Sequence, residues 1–182
     1  FNLARSDFFA QRGVLDDLLP ASTGIGMPNR SGAAIVAGVL ALRSRDGRAR
    51  VIQVPSPLQG PATSYRSSFS RAVEIERAGF RHLLVSGTAA IDPRGRTAFP
   101  GDVGPQVALT LDIVEGLLAS RGMGWADVIR ATAYFPDPAD ARHLASGLAD
   151  RALPPFPMAV VRGDVCRADL RFELEVDAAV PA

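Results

Sequence analysis

From residue 69 onward the apolar positions follow two rhythms. Val107, Leu111, Val114 and Leu118 recur at steps of three and four, which predicts a helix over Gly104–Arg121 with one apolar face. Asp102 stands at its N-cap, and Gly122 and Gly124 end it. Asp127–Phe135 reads as a strand through Val128, Arg130, Thr132 and Tyr134, closed by Pro136. Asp137 is placed to cap a second helix, Pro138–Arg151, with proline in its first turn. A proline-rich connector, Leu153–Pro157, leads to a short apolar strand, Met158–Arg162. In Leu170–Ala178 the period is two. Leu170, Phe172, Leu174 and Val176 share one face; Arg171, Glu173, Glu175 and Asp177 share the other. Upstream, Phe69–Glu76 and Arg81–Gly87 pair as a hairpin around Ala78-Gly79, and Asp92-Pro93-Arg94-Gly95 is a turn. The order β-β-turn-α-β-α-β-β predicts an α/β module: a mixed sheet with two helices on one face.

The first 65 residues read differently. Asn2–Arg12 suits a helix. Ala33–Arg43 and Arg48–Val54 suit two strands around the Asp46-Gly47 turn. The apolar run Gly32–Leu42 is too short for a membrane span and reads as a buried strand. Helix, strand, strand is also how the second module ends. Residues 1–65 are therefore expected to be the closing half of a related first module, and 66–182 the C-terminal module. Pro55–Ser68, rich in Pro, Ser and Gly, links them. Phe1 in place of methionine reads as a processed or truncated chain.

Composition narrows the chemistry. The formal net charge of +1 and the absence of a basic cluster give no support to nucleic-acid binding. No apolar run is long enough to cross a membrane, and a cytoplasmic location fits. All 20 basic residues are arginine, so lysine Schiff-base chemistry is excluded and bidentate guanidinium grips are favoured. His82 and His143 lack ligand spacing, so no metal is expected. The single cysteine, Cys166, cannot form an internal disulfide and is either a buried thiol or a functional one.

Several stretches resemble the RidA (YjgF) superfamily. They are Phe69-Ser70-Arg71-Ala72, Leu84-Val85-Ser86-Gly87, Ile91-Asp92-Pro93, Gly101-Asp102, Gln106 and Trp125-Ala126-Asp127-Val128. The resemblance implies a RidA-like fold, a homotrimer with sites between subunits, and enamine or imine hydrolysis. RidA deaminases carry an arginine after a proline at the strand that here starts Pro157-Met158. Within the superfamily the chain is more similar to the chorismatases. The similarity rests on Tyr65-Arg66-Ser67-Ser68-Phe69-Ser70-Arg71-Ala72, on Ser86-Gly87-Thr88-Ala89, and on Asp164-Val165-Cys166-Arg167-Ala168-Asp169-Leu170 followed by Phe172-Glu173-Leu174-Glu175. Phe1-Asn2-Leu3-Ala4-Arg5 and Leu19-Pro20-Ala21-Ser22 fit the end of a chorismatase N-terminal module. After Ala90 the chain is closer to RidA, with Ile91–Gly95 where chorismatases have a glycine-histidine pair.

This resemblance implies a cofactor-free enzyme that cleaves the enolpyruvyl ether of chorismate, a dianion, to pyruvate and a ring product. Glu173 becomes the candidate acid. Its neighbours Glu175 and Asp177 share its face, and like charges help a carboxyl hold a proton. The competing reading is a solvated strand face, with Glu175 paired to an arginine. A cysteine at position 166 resembles the 3-hydroxybenzoate-forming members and implies a shaper of the pocket; Arg162 and Arg167 are placed to lower its pKa, or lie at the surface. Arg66 and Arg71 flank the entry strand and are candidate carboxylate grips. Thr88, Ala89 and Ala90 leave room for a flat ring, or serve tight packing. Tyr65 binds substrate or staples the linker. A RidA-type deaminase and a non-catalytic binding protein are the alternatives.

Overall fold

The computed structural model describes residues 2–15 and 18–182; Phe1 lies outside the described residues. The elements are α1 (Asn2–Gln11), β1 (Arg50–Val54), β2 (Ala72–Arg77), β3 (Phe80–Thr88), α2 (Val103–Ser120), β4 (Val128–Phe135), α3 (Ala141–Asp150), β5 (Met158–Arg162) and β6 (Glu173–Pro181). One six-stranded mixed sheet has the order β1-β2-β3-β6-β4-β5, with β4 and β5 parallel and the other pairs antiparallel.

Helices α2 and α3 cover one face, as the periodicity predicts. Val107, Leu111, Val114 and Leu118 of α2 meet Leu83 and Val85 of β3 and Leu174 and Val176 of β6 in the main core. Phe135 and Phe172 pack with ring centres 4.8 Å apart, and Trp125 stacks on Phe156 at 5.3 Å. Gly79 turns the β2–β3 hairpin at φ 93, a conformation that costs glycine little. Asp137 accepts from the Ala139 N–H, as expected of a cap. Asp102 holds the N-cap position of α2 without a side-chain cap; its carbonyl accepts from the Gln106 N–H.

Three expectations need correction. Residues 33–43 form no strand and are not buried: Ile35, Val36, Val39 and Leu40 are 61–85% exposed. Strand propensity becomes a strand only where a ladder partner exists, and among the described residues this segment has none. Consequently β1 is not half of a hairpin with Ala33–Arg43. It joins β2 through a five-residue antiparallel register, Arg50↔Glu76 to Val54↔Ala72. The last strand starts at Glu173 rather than Leu170, because the backbone of residues 169–171 is diverted to the Gln106 side chain.

A buried polar anchor backs the sheet on the helix side. Glu74 is fully buried and accepts from Arg121 Nη2 at 2.8 Å and Nε at 2.9 Å, with Arg81 at 3.6 Å. On the opposite face Arg130 reaches Glu175 at 2.6 Å and Asp177 at 2.9 Å. The reading of Glu175 as the partner of an arginine therefore holds.

Candidate active site

The site forms where β3 is irregular. Val85 pairs with Val176 and Thr88 with Leu174, so β3 carries one residue more than β6 between those pairs. Such a bulge releases backbone groups from the ladder. The Gly87 N–H is used elsewhere, donating to Thr23 Oγ1 at 2.9 Å. Gly87 must lack a side chain: a Cβ there would overlap Glu173 Oε1 and lie 2.8 Å from Thr23 Cγ2.

Glu173 opens β6 opposite Tyr134 of β4 and is 5% exposed. Among the described residues none donates a hydrogen bond to its carboxyl. Burial, with a smaller push from Glu175, raises its pKa to about 7. The alternating pattern placed Glu173 off the core face correctly, but that face is not solvated at this end. Cys166 is an exposed residue on the loop before β6. Its thiol is pushed up by burial of the group and then by Glu173, against the pull of Arg167. Of the two arginines placed to lower it, Arg167 does pull the thiol down but is outweighed, and Arg162 takes no part.

Arg71 is buried, donates from Nε to the Gly60 carbonyl at 3.0 Å, and keeps Nη2 buried without a partner among the described residues. Its guanidinium carbon lies 5.4 Å from the Tyr65 ring centre and 5.6 Å from that of Phe69. Arg167 approaches the same Tyr65 ring at 5.2 Å and donates to the Gly95 carbonyl at 2.9 Å. Gly95, at φ 78, leaves no room for a Cβ, which would sit 2.8 Å from Tyr65 Cδ1. Tyr65 is thus clamped between two cations and a glycine. Burial holds its phenol above the ordinary value, while Arg71 and Arg167 pull the other way.

The structure therefore gathers Tyr65, Arg71, Cys166, Arg167 and Glu173. Ala89 and Ala90 are buried with Ile91, Val165 and Leu170 in a small second core, against which Tyr65 and Tyr134 also pack. Thr88 is buried, and its hydroxyl donates to the Ser86 carbonyl at 2.8 Å. Two candidates fall outside the cluster. Arg66 ends a 3-10 turn in the left-handed region, φ 64, and is exposed. Arg162 is exposed at the end of β5. Arg167, expected only to influence Cys166, lies in the cluster instead.

Sequence reasoning missed Thr23 and Gln59. Gln59 is buried and donates from Nε2 to the carbonyls of Ala89 and Ile91, both at 3.0 Å, fixing the loop after β3. Its position immediately before the Gly60-Pro61 step was the one local hint.

A family model described as endoribonuclease L-PSP matches residues 61–180. Over 96% of its length the chain is 27% identical to the chorismatase of Streptomyces rapamycinicus, of which it spans 55%. It also superposes on a chorismatase crystal structure with TM-score 0.72, at 22% identity, covering 98% of this chain and 56% of that one. RidA from the Antarctic bacterium Psychrobacter sp. matches with TM-score 0.60 at 16% identity, over 71% of this chain and 99% of its own. The chain thus spans about half the length of the chorismatases it matches.

Proposed function

The chain belongs to the endoribonuclease L-PSP family, and on that premise we propose that it cleaves the enolpyruvyl ether of a chorismate-like dianion, releasing pyruvate. The observation that carries this reading is Glu173: a carboxyl 5% exposed, with its pKa raised to about 7, beside Cys166 and two arginines that flank Tyr65.

An enol ether is unreactive toward water until its terminal methylene carbon takes a proton. Glu173 near pH 7 holds that proton and has the acidity to give it up. Transfer forms a C–H bond and an oxocarbenium ion at the ether carbon. Water adds there and returns a proton to the Glu173 carboxylate. The resulting hemiketal collapses, the C–O bond to the ring breaks, and pyruvate leaves with the ring alcohol. If the neighbouring ring hydroxyl captures the cation instead, its proton returns to Glu173; the cyclic ketal then opens as one ring C–O bond breaks, that oxygen leaves as the keto oxygen of pyruvate, and a ring carbon gives up its proton to the remaining oxygen to leave a hydroxybenzoate. Cys166, adjacent to the acid, would shape the space in which this choice is made, and 3-hydroxybenzoate is the product we propose. No step requires a cofactor.

Arg71 and Arg167 supply the anion grip. The buried Nη2 of Arg71, unpartnered among the described residues, is suited to a carboxylate, since a desolvated guanidinium donor without an acceptor is costly. Met158, at the start of β5, packs against the main core, so the position that bears arginine in imine deaminases offers no cation to the site here. We further propose that residues 1–65 belong to a first module of the same kind and that the protein forms a homotrimer.

Incubation with chorismate, with products separated by chromatography, tests the proposal. Pyruvate together with 3-hydroxybenzoate is expected from the native protein, and neither from Glu173→Gln. Absence of pyruvate from the native protein would overturn it.

A further inference from the structure

The segment from Leu19 to Gly26 lies before residue 61, where the family match begins, yet it is fastened beside Arg71, to the end of β3 and to the loop that carries Cys166. The Ser70 N–H donates to the Pro20 carbonyl at 2.9 Å, next to Arg71, and Ala21 bridges Ser70. The Ser22 N–H donates to Ser86 Oγ at 2.9 Å, and Thr23 receives the Gly87 N–H at the β3 bulge. Gly26 and Asp164 exchange two backbone hydrogen bonds of 2.8 and 2.7 Å, two residues before Cys166. Ile25 packs on Gly163 so closely that a Cβ there would lie 2.5 Å from Ile25 Cγ2, and it also packs against the second core. The strap therefore crosses from the entry of β2, over the end of β3, to the loop before β6.

Thr23 sits at the middle of this crossing. Its hydroxyl caps the freed Gly87 N–H, and its methyl lies over Gly87 on the spot that the Glu173 carboxyl also approaches. We propose that residues 19–26 form a wall of the active site that the L-PSP module does not itself provide, with the Thr23 methyl closing the Glu173 carboxyl off from water. Thr23 is a positioning residue: it acts on the acid and needs no contact with substrate.

The ionisable groups around the acid supply no counter-charge that would offset this shielding. Glu175 on the same strand, Tyr134 opposite on β4, and Cys166 on the preceding loop are the ionisable neighbours that act on it or feel it electrostatically. None is cationic. Burial, the larger cause of the raised pKa, needs an uncharged cover, and Thr23 is one.

Two substitutions separate the methyl from the hydroxyl. Thr23→Ser keeps the acceptor for Gly87 and removes the methyl; Thr23→Val keeps a methyl over Gly87 and removes the acceptor. Protonation of Glu173 is followed by infrared difference spectroscopy across pH, with Glu173→Gln identifying the band and thermal unfolding confirming that each variant is folded. The inference rests on Glu173 as the site acid, but this readout needs no substrate turnover, so it stands or falls separately from the chorismate assay. In Thr23→Ser the midpoint is expected to fall by about one pH unit, and in Thr23→Val to stay near 7. A native midpoint in folded Thr23→Ser, or a midpoint in Thr23→Val as low as in Thr23→Ser, overturns the assignment.

Discussion

Arg71 lies 5.4 Å from the centre of the Tyr65 ring with one guanidinium nitrogen buried and, among the described residues, unpartnered, whereas Arg66, five residues earlier, is exposed. The two are equivalent in composition and opposite in environment. Arg71→Lys keeps the charge but loses the planar fork, so chorismate affinity measured by calorimetry should fall at least about tenfold, in line with a charge-assisted hydrogen bond of about 1.5–3 kcal/mol. Arg66→Ala and Arg162→Ala should leave affinity within about twofold. Equal losses in all three would mean that the site uses the general positive field rather than this geometry.

Glu173 makes stability fall with rising pH. Its folded pKa, about 7, lies above the ordinary 4.5. Between those values the folded protein keeps a proton that the unfolded chain releases, so unfolding is favoured as pH rises. The contribution is nil below pH 4.5 and is complete above pH 7, at about 3 kcal/mol. Glu173→Gln removes the titration. In urea unfolding at pH 5 and pH 8, the variant should gain about 2–3 kcal/mol on the native protein at the higher pH relative to the lower. A constant difference between them at both pH values would show that the carboxyl does not titrate as described.

What the sequence made legible were features with a local period. The alternation through Phe172, Leu174 and Val176 set the core face of β6 and put Glu173 on the other. The three-and-four spacing gave α2. What it hid were features made by distant chain segments. Thr23 and Gly87 are 64 residues apart, and the bulge that frees the Gly87 N–H leaves no mark in composition. Period alone left Glu173 open to a solvated-face reading, and the resemblance made it the candidate acid; its burial comes from segments distant in the chain. Arg66 adopts φ 64, which no arginine signals in advance. Residues 33–43 erred in the other direction: their strong strand propensity is real, and a ladder partner among the described residues is what they lack.

Gly87→Ala should cost the site more than the fold. The added Cβ meets Glu173 Oε1 and Thr23 Cγ2 at once, so either the acid or the strap must move. Overpacking of this kind costs about 1–3 kcal/mol, and displacement of the acid should lower chorismate turnover at least about tenfold. Gly24→Ala, in the same strap, meets nothing within 4 Å and should change neither. Thermal unfolding and pyruvate release, measured on both variants, check the contrast. Wild-type turnover in Gly87→Ala would show that the close approach of Glu173 and Gly87 is dispensable.

Gln106 connects the main helix to the loop that carries Cys166 and Arg167. Its fully buried amide donates from Nε2 to the carbonyls of Phe99 and Asp169, both at 2.8 Å, and its Oε1 accepts from the Arg171 N–H at 2.7 Å. Phe99 is held at φ 50, which disfavours a bulky side chain and depends on such a restraint. Gln106→Leu preserves volume but strands the Arg171 N–H, while the Phe99 and Asp169 carbonyls each keep one donor, the N–H of Asp102 and of Gly101, so the cost is about 1–3 kcal/mol. Gln106→Glu keeps an acceptor for Arg171 and loses both donors, so it should fall in the same range at neutral pH. If the amide only stabilises the fold, kcat and KM for the folded fraction will be native. If it positions the loop, KM should rise about tenfold with little change in kcat, because Arg167 leaves the Tyr65 ring while Glu173, anchored in β6, keeps its place. The second outcome is expected, since Asp169, which Gln106 holds directly, is two residues from Arg167, and Glu173 is secured by its own ladder to Tyr134.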